Sequence, residues 1–481
     1  MKLNMVNKSF VCVFGAIFVN ASLFSASVGI GGRNVLEDSA NIGVVQETDA
    51  QSVQEGFSKE RFIYSLQEAL ENGTIQDALS LFDSIPQEES DDFDLQFLKA
   101  ALLVSATEYN SAKTICNNLL TREPENTDVI ELAATIAKAQ GNTAERNKQL
   151  KVLLGLDAYN PAANIALAED AFSKKNYKQS RQYYQKALVR EPKNQDALFG
   201  VGQTSYYLED DKRATSTFKQ ILKDDPYYAP AYSYLGKLAA ADNEFKVASD
   251  YIKKAIALEP DNYDYVMDYG MYERDLGHYA EAEKAWTKAI QIQPDYFLAY
   301  AYRAGLLDEQ DRFSDALRDY NMVVKLKPEY YYAYESIGVL AIHEKKWKTA
   351  REAFQKCFSY NANNISYPLM ITYCYYMEGN SAMAKSFSDS VLRKLDRSSI
   401  DYAMLRVYHD LAGEMPLPQK ISHLSSRNQQ GKMYFYLGLL YDMIGGSEAS
   451  REYFTKVVAM NSPMFFEYRI AEWSVGKVNV N

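Results

Sequence analysis

The sequence predicts an all-α protein built as a stack of helix pairs of one repeating length. Three observations carry this. Five prolines, Pro192, Pro226, Pro260, Pro294 and Pro328, are evenly spaced, each thirty-four positions after the last. Between them, apolar residues recur at three- and four-residue steps, the spacing of one buried helical face. Units of that length run without insertion or deletion from Lys59 to Ser398, ten in succession. A fixed period of this kind belongs to units that bury their apolar faces only against their neighbours, so the chain reads as an array and not as a set of compact globules.

Residues 1–27 contain Lys2 and Lys8, then a mostly apolar stretch from Ser9 to Phe24, then Ser25-Ala26-Ser27. A short positive region, an apolar core and a small-residue site are the parts of a cleaved export signal. An uncleaved membrane anchor is the alternative, weakened by the shortness of the stretch and by Asn20. Cys12 follows Phe10-Val11, which lacks the small residue a lipoprotein signal wants before its cysteine. Residues 28–58 are rich in Gly, Ser, Asn and acids, lack helical periodicity, and read as a disordered acidic linker. Membrane association is expected only through the N-terminal segment.

Within a unit the pattern is two amphipathic helices. In 229–262, Tyr232, Leu235, Gly236 and Ala239 line one face of the first helix, and Ala248, Ile252 and Ala255 line the second, which must stop before Pro260. Gly73, Gly141, Gly277, Gly379 and Gly445 fall between the two helices, where a left-handed residue closes a helix end. Gly236 and Ala248 predict close approach of the helix backbones. Residues 399–430, broken by Pro416 and Pro418, read as an irregular helical joint. An eleventh unit follows at 431–464, and 465–481 as a capping helix and tail.

The order Tyr232, Leu235-Gly236, Ala248, Ile252, Ala255, Pro260, repeated as Tyr269-Gly270, Gly277, Tyr279, Ala282, Trp286, Ala289, Pro294, resembles the tetratricopeptide repeat. The resemblance implies a right-handed superhelical solenoid of about eleven 34-residue helix-turn-helix units. It also implies that slots 2, 5, 9, 12 and 13 of each unit face a concave groove. Those slots hold Phe199, Gln203, Tyr206 and Tyr207, then Met267, Met271 and Arg274, then Tyr332 and Glu335, then Tyr373 and Tyr376. Tyrosine offers large contact area and a hydrogen-bonding tip, and methionine adapts to irregular partners, so these eleven residues form the expected partner-binding groove. The segment Tyr436-Leu437-Gly438 together with Phe466-Glu467-Tyr468-Arg469-Ile470-Ala471 is similar to the end of bacterial envelope tetratricopeptide lipoproteins, which act as adaptors.

Charge narrows the partners. The net charge is −11, and without Lys2 and Lys8 it is −13. An acidic body repels phosphate backbones, so nucleic acid is not expected, whereas protein or peptide partners with basic residues are. Tetratricopeptide proteins that grip a C-terminal carboxylate need Lys at slot 5 followed by Asn at slot 9, and no unit has that pair. His278, His343, His409 and His423 are widely separated, without metal-ligand spacing. No nucleophile elbow and no Gly-rich loop after a strand occurs. No cofactor and no catalytic or metal-binding residue is therefore expected, and the chain reads as a non-enzymatic adaptor or scaffold exported to the bacterial envelope (periplasm) or the extracellular space. A cytosolic or membrane-anchored assembly factor and a cryptic carboxylate hydrolase are the alternatives. Cys116, Cys357 and Cys374 make an odd set, in which a Cys357–Cys374 bridge is open.

Overall fold

The computed structural model describes residues 57–461 and 465–476. The expected signal peptide (1–27), nearly all of the expected linker and the tail beyond Gly476 lie outside the described residues. Every described regular element is a helix, and none of these is long and apolar enough to cross a membrane. The chain divides into two compact units, one running to Pro260 and one beginning at Asp261.

In the first unit, first helices begin at Lys59, Phe93, Thr127, Pro161, Gln195 and Ala229, and second helices at Ile75, Tyr109, Thr143, Tyr177, Asp211 and Phe245. Both series keep the period of the proline ladder. The physical punctuation is equally regular. Ser58, Asp92, Asn126, Asn160 and Asn194 each precede a first helix, and each side chain accepts a hydrogen bond from a backbone N–H of the first turn. Such caps satisfy N–H groups that have no partner inside the helix, at about 1 kcal/mol each. Three of the ladder prolines, Pro192, Pro226 and Pro260, stand just beyond the ends of second helices at Arg190, Asp224 and Leu258. The opening pair is shortened: Ile75–Ser80 passes into a single 3₁₀ turn, Leu81–Ser84.

The turn between paired helices departs from expectation in an instructive way. Gly141 has φ 68, as a left-handed helix end requires, but Gly73 has φ −128 and does not. In the other units of this half the same slot is left-handed without glycine: Thr107, Lys175, Glu209 and Asn243 have φ of 63, 59, 56 and 61. The geometry of the turn is thus fixed by the packing of the helix pair, and glycine merely relieves it where present.

The second unit continues the register with first helices at Tyr263, Phe297 and Tyr331 and second helices at Tyr279, Phe313 and Trp347. Ser366–Met377 and Ser381–Leu392 complete the tenth pair. The expected joint contains two helices, Ile400–Asp410 and Leu417–Ser422, the first closed by left-handed Leu411 (φ 53). The last pair starts earlier than 431, because Arg427–Met443 is a helix of 17 residues. Ser426 sets that start by capping the backbone N–H of Gln429. Cys116, Cys357 and Cys374 are free and buried, so the Cys357–Cys374 bridge left open by the sequence is not formed.

The second unit also shows why slots that resemble groove positions become core. Ten of the twelve residues of Ser366–Met377 are buried. Its outer faces are covered by Ile400–Asp410 and Arg427–Met443, which pack against it on the side that an open array would leave to solvent. A helix apolar all round fits only such an enclosed place.

Candidate functional site

In the first unit the expected site residues Phe199, Gln203, Tyr206 and Tyr207 all lie on Gln195–Tyr207, and the structure brings them together in one aromatic run. Tyr207, 46% exposed, stacks on Tyr177 with ring centres 4.7 Å apart and planes 12° from parallel, and meets the edge of Phe172 at 5.5 Å. Tyr206 stands edge-on to Tyr207 and to Tyr234, at 5.4 and 5.3 Å. Phe199 meets Tyr234 at 5.6 Å. Gln203 donates from Nε2 to the Tyr234 hydroxyl at 2.7 Å, and Lys237 lies over the same ring. Edge-to-face and offset contacts of this kind favour rigid rings over freely turning ones.

Phe172, Tyr177 and Tyr234 belong to this run and were not among the expected residues. Phe172 occupies slot 12 of its unit and was within reach of the same register rule. Tyr177 and Tyr234 sit at slots 17 and 6, outside that rule, so only the fold joins them. Two carboxylates of the same compact unit have raised pKa values. Asp196, near the start of Gln195–Tyr207, is exposed, and partial desolvation by the surrounding protein, with Glu169 adding to it, holds its carboxyl above the ordinary range. Glu131 is raised for the same first cause, against a hydrogen bond from Asn160.

In the second unit the expected residues do not form one surface. Tyr332 is 55% exposed and lies against Tyr331 and Tyr330, ring centres 4.2 and 5.6 Å away. Arg274 is paired with Glu309 at 2.8 Å, and Met271 is half-buried. Three residues are corrected. Met267 is buried in the helix stack. Tyr373 is only 3% exposed and packs edge-on to Trp347 at 5.9 Å. Tyr376 spends its hydroxyl on the carbonyls of Tyr408 and His409, at 3.0 and 3.4 Å. For Tyr373 and Tyr376 the cause is the cover described above: helices that follow the tenth pair occupy the side these slots face. Glu335 accepts from the Tyr367 hydroxyl at 2.7 Å, and burial pushes its carboxyl up, with Glu467 adding to the effect.

Glu467 brings in the C-terminal helix, Phe466–Val475, which was expected to cap the last pair. It packs on Ser447–Ala459 as a cap does, and also reaches Arg427–Met443 and Tyr331–His343. Arg469 Nη1 lies 2.9 Å from Asp308 Oδ1, and its Nη2 donates to the Asp308 carbonyl at 2.6 Å. The guanidinium lies over the rings of Phe313 and Trp473. Trp473 meets His343 at 4.3 Å, and Phe466 stacks on Phe354 at 5.5 Å. Along the C-terminal half of this helix a cleft of about 530 Å³ remains open, bounded by Trp347, Tyr373, Asp442, Arg451 and Trp473. Among the described residues no group of His, Cys, Asp and Glu is placed to hold a metal ion.

Consecutive antiparallel helix pairs in strict register, with side chains of successive first helices facing one another, define a helical-repeat protein. Residues 165–229, 235–297 and 300–360 match the model described as tetratricopeptide repeat, so this stretch of the chain consists of tetratricopeptide repeats. This fold is typical of scaffolds for protein–protein interaction. Among curated proteins, the chain is 23% identical over 218 residues to a DnaJ homolog subfamily C member 7 homolog of Dictyostelium discoideum, covering 41% of this chain and 40% of that one. It is 29% identical over 123 residues to a UDP-N-acetylglucosamine–peptide N-acetylglucosaminyltransferase of Giardia intestinalis, covering 25% of this chain and 8% of that one. The chain thus spans well under two thirds of either relative. Among solved structures, PilW, a type IV pilus biogenesis factor, aligns at 18% identity and TM-score 0.38 over 43% of this chain and 95% of that one. YrrB, described as having an unusual peptide-binding site, aligns at 19% identity and TM-score 0.33 over 41% and 97%.

Proposed function

We propose that the protein is a non-enzymatic adaptor of the bacterial cell envelope, which holds protein or peptide segments bearing basic residues against the aromatic and acidic wall of 161–241. The observation that carries this reading is the run Phe172, Tyr177, Tyr207, Tyr206, Tyr234, Phe199: six rings each touching the next, with Tyr207 open to solvent and Asp196 at the start of the same helix. Rings already fixed by their neighbours lose little freedom on binding, and clustered aromatic anchors are where interfaces concentrate their energy. Lysine or arginine of a partner gains both from a ring face and from a carboxylate that partial desolvation has made costly to ionise alone. Placement in the envelope rests on the N-terminal segment 1–27 and on the C-terminal likeness to envelope adaptors.

The test is partner capture by crosslinking in intact cells, comparing the native chain with the double variant Tyr206→Ala, Tyr207→Ala. These side chains are half-buried and exposed, so the helix pairs should persist, as circular dichroism can verify. Loss of the captured partners is expected. Unchanged capture by a folded variant refutes the wall as the binding site, and N-terminal sequencing of the mature chain decides the localisation.

A further inference from the structure

The helix Phe466–Val475 meets the rest of its unit in the manner of a bound ligand. On one face, Phe466, Arg469, Ile470 and Trp473 follow the i, i+3, i+4, i+7 spacing by which an amphipathic helix lies in a groove. Phe466 stacks on Phe354 and Tyr367, Trp473 lies against His343 and Phe313, and Arg469 pairs with Asp308, which precedes it by 161 residues. An aromatic, an arginine and a tryptophan anchored in separate places describe a recognition contact more than a generic cap.

The contact is not fully satisfied. Glu467 is wholly buried, and while one carboxylate oxygen lies 2.9 Å from the Tyr436 hydroxyl, the other has no partner among the described residues. Glu335 lies close enough that the two acids repel each other, and Asp308 is itself buried, which pushes its carboxyl up to about 6. Buried acids that are incompletely paired weaken the docking they take part in. The open cleft along the C-terminal half of the helix, bounded by Tyr373, Asp442 and Trp473, leaves room beside the occupant.

We infer that the wall formed by 297–377 is a helix-binding site held by the chain's own C-terminal helix. The ligand it takes from a partner is an amphipathic helix with an aromatic residue, an arginine and a tryptophan at i, i+3 and i+7. The C-terminal helix is then a built-in competitor: the site opens when 466–475 leaves, and a partner helix of the same chemistry takes its place. This rests on the adaptor reading but uses a different wall from the one around Tyr207.

The probe is a labelled synthetic peptide of residues 465–476, titrated into the native full chain and into the full-chain variant Arg469→Ala, Trp473→Ala. That variant loses its hold on Asp308, Phe313 and His343 and keeps the face that packs on Ser447–Ala459. At least tenfold tighter peptide binding to the variant than to the native chain is expected. A peptide carrying the same two substitutions should bind neither. Equal binding to both chains, with the variant folded, overturns the inference. Hydrogen exchange on the native chain decides independently of any variant. Amides of 466–475 should exchange through an opening that leaves 331–343 protected, whereas release only with global unfolding overturns the proposal. Because Tyr206 and Tyr207 are untouched, partner capture through them continues if only this inference fails.

Discussion

Gly270 and Trp286 face each other with no space for a β-carbon: one built on Gly270 would stand 2.4 Å from Nε1 of the indole. The same relation, a glycine of the first helix against a ring of the second helix in the same pair, recurs at Gly202–Phe218, Gly338–Phe354 and Gly438–Phe454. The small slot of the repeat therefore exists to receive the aromatic of the second helix, a different reason from the backbone approach that the sequence suggested. Gly270→Ala should destabilise the fold by about 1–3 kcal/mol through overpacking. Gly305, in a helix interior with nothing within 4 Å of its would-be β-carbon, is the control. Gly305→Ala should stabilise by about 0.5–1 kcal/mol. Urea unfolding of both variants checks the pair, and effects of the same sign would refute the packing account.

Thr107 is a β-branched residue held at φ 63, in the slot that Gly141 fills at φ 68 one unit later. Left-handed geometry costs an L-residue about 1–2 kcal/mol. Thr107→Gly should recover part of that, about 1 kcal/mol, offset by the greater freedom of glycine in the unfolded chain. Gly141→Ala should lose about 1 kcal/mol, since the space around it is open and only the backbone is strained. Thermal unfolding that moves both variants in the same direction would contradict the shared geometry.

The register was legible because proline and glycine act locally: Pro260 ends its helix whatever packs around it, and the period follows from counting between prolines. The caps at Asn126, Asn160 and Asn194 were equally local and could have been found by reading the residue before each first helix. The left-handed turns at Lys175 and Glu209 could not, because nothing in those residue types favours that geometry and only the packed helix pair imposes it. The groove was half legible. Slot position predicts which side a residue faces but not what later covers that side. Tyr207 stays open, whereas Tyr373 is covered because helices after the tenth pair fold over Ser366–Met377.

Cys116, Cys357 and Cys374 offer a direct check on burial. All three are free, and burial alone pushes the Cys116 thiol up to about 12, so almost none is thiolate at neutral pH. Native protein, apart from Cys12, should leave these three thiols unreacted towards a thiol-specific reagent at pH 7.5, and all three should react in denaturant. Fast modification of any of them in the folded chain would contradict the core described here.

Asp196 predicts how partner binding responds to pH. Partial desolvation raises its carboxyl, so it charges at a higher pH than an ordinary aspartate. A basic peptide that runs along Gln195–Tyr207 as far as Asp196 should therefore bind more tightly at pH 7.5 than at pH 4.5, and more weakly as salt increases. Fluorescence anisotropy with an arginine-containing partner segment measures both trends. Affinity independent of pH and salt would remove the carboxylate from the recognition account.

Asp308 gives a dependence of the opposite kind on stability itself. Burial is the main cause of its raised carboxyl, Arg469 pulls it back only in part, and Tyr320, Asp311 and Glu309 are the other groups that face it. The result is about 6 against an ordinary 3.8. Between those values the folded protein keeps a proton that the unfolded chain has released. Its stabilising contribution is therefore complete below the ordinary value and is lost as pH rises through 6. The loss is on the order of 3 kcal/mol. Carboxylates such as Asp92, which Lys59 and backbone N–H groups hold below the ordinary range, slope the other way, so total stability cannot isolate this effect. The difference between the native chain and Asp308→Asn can, because asparagine does not titrate and the remaining groups are common to both. Urea unfolding should show the native chain losing ground to Asp308→Asn from pH 4 to pH 7.5. A difference that stays level across that range would mean that Asp308 is not buried against Arg469 as described.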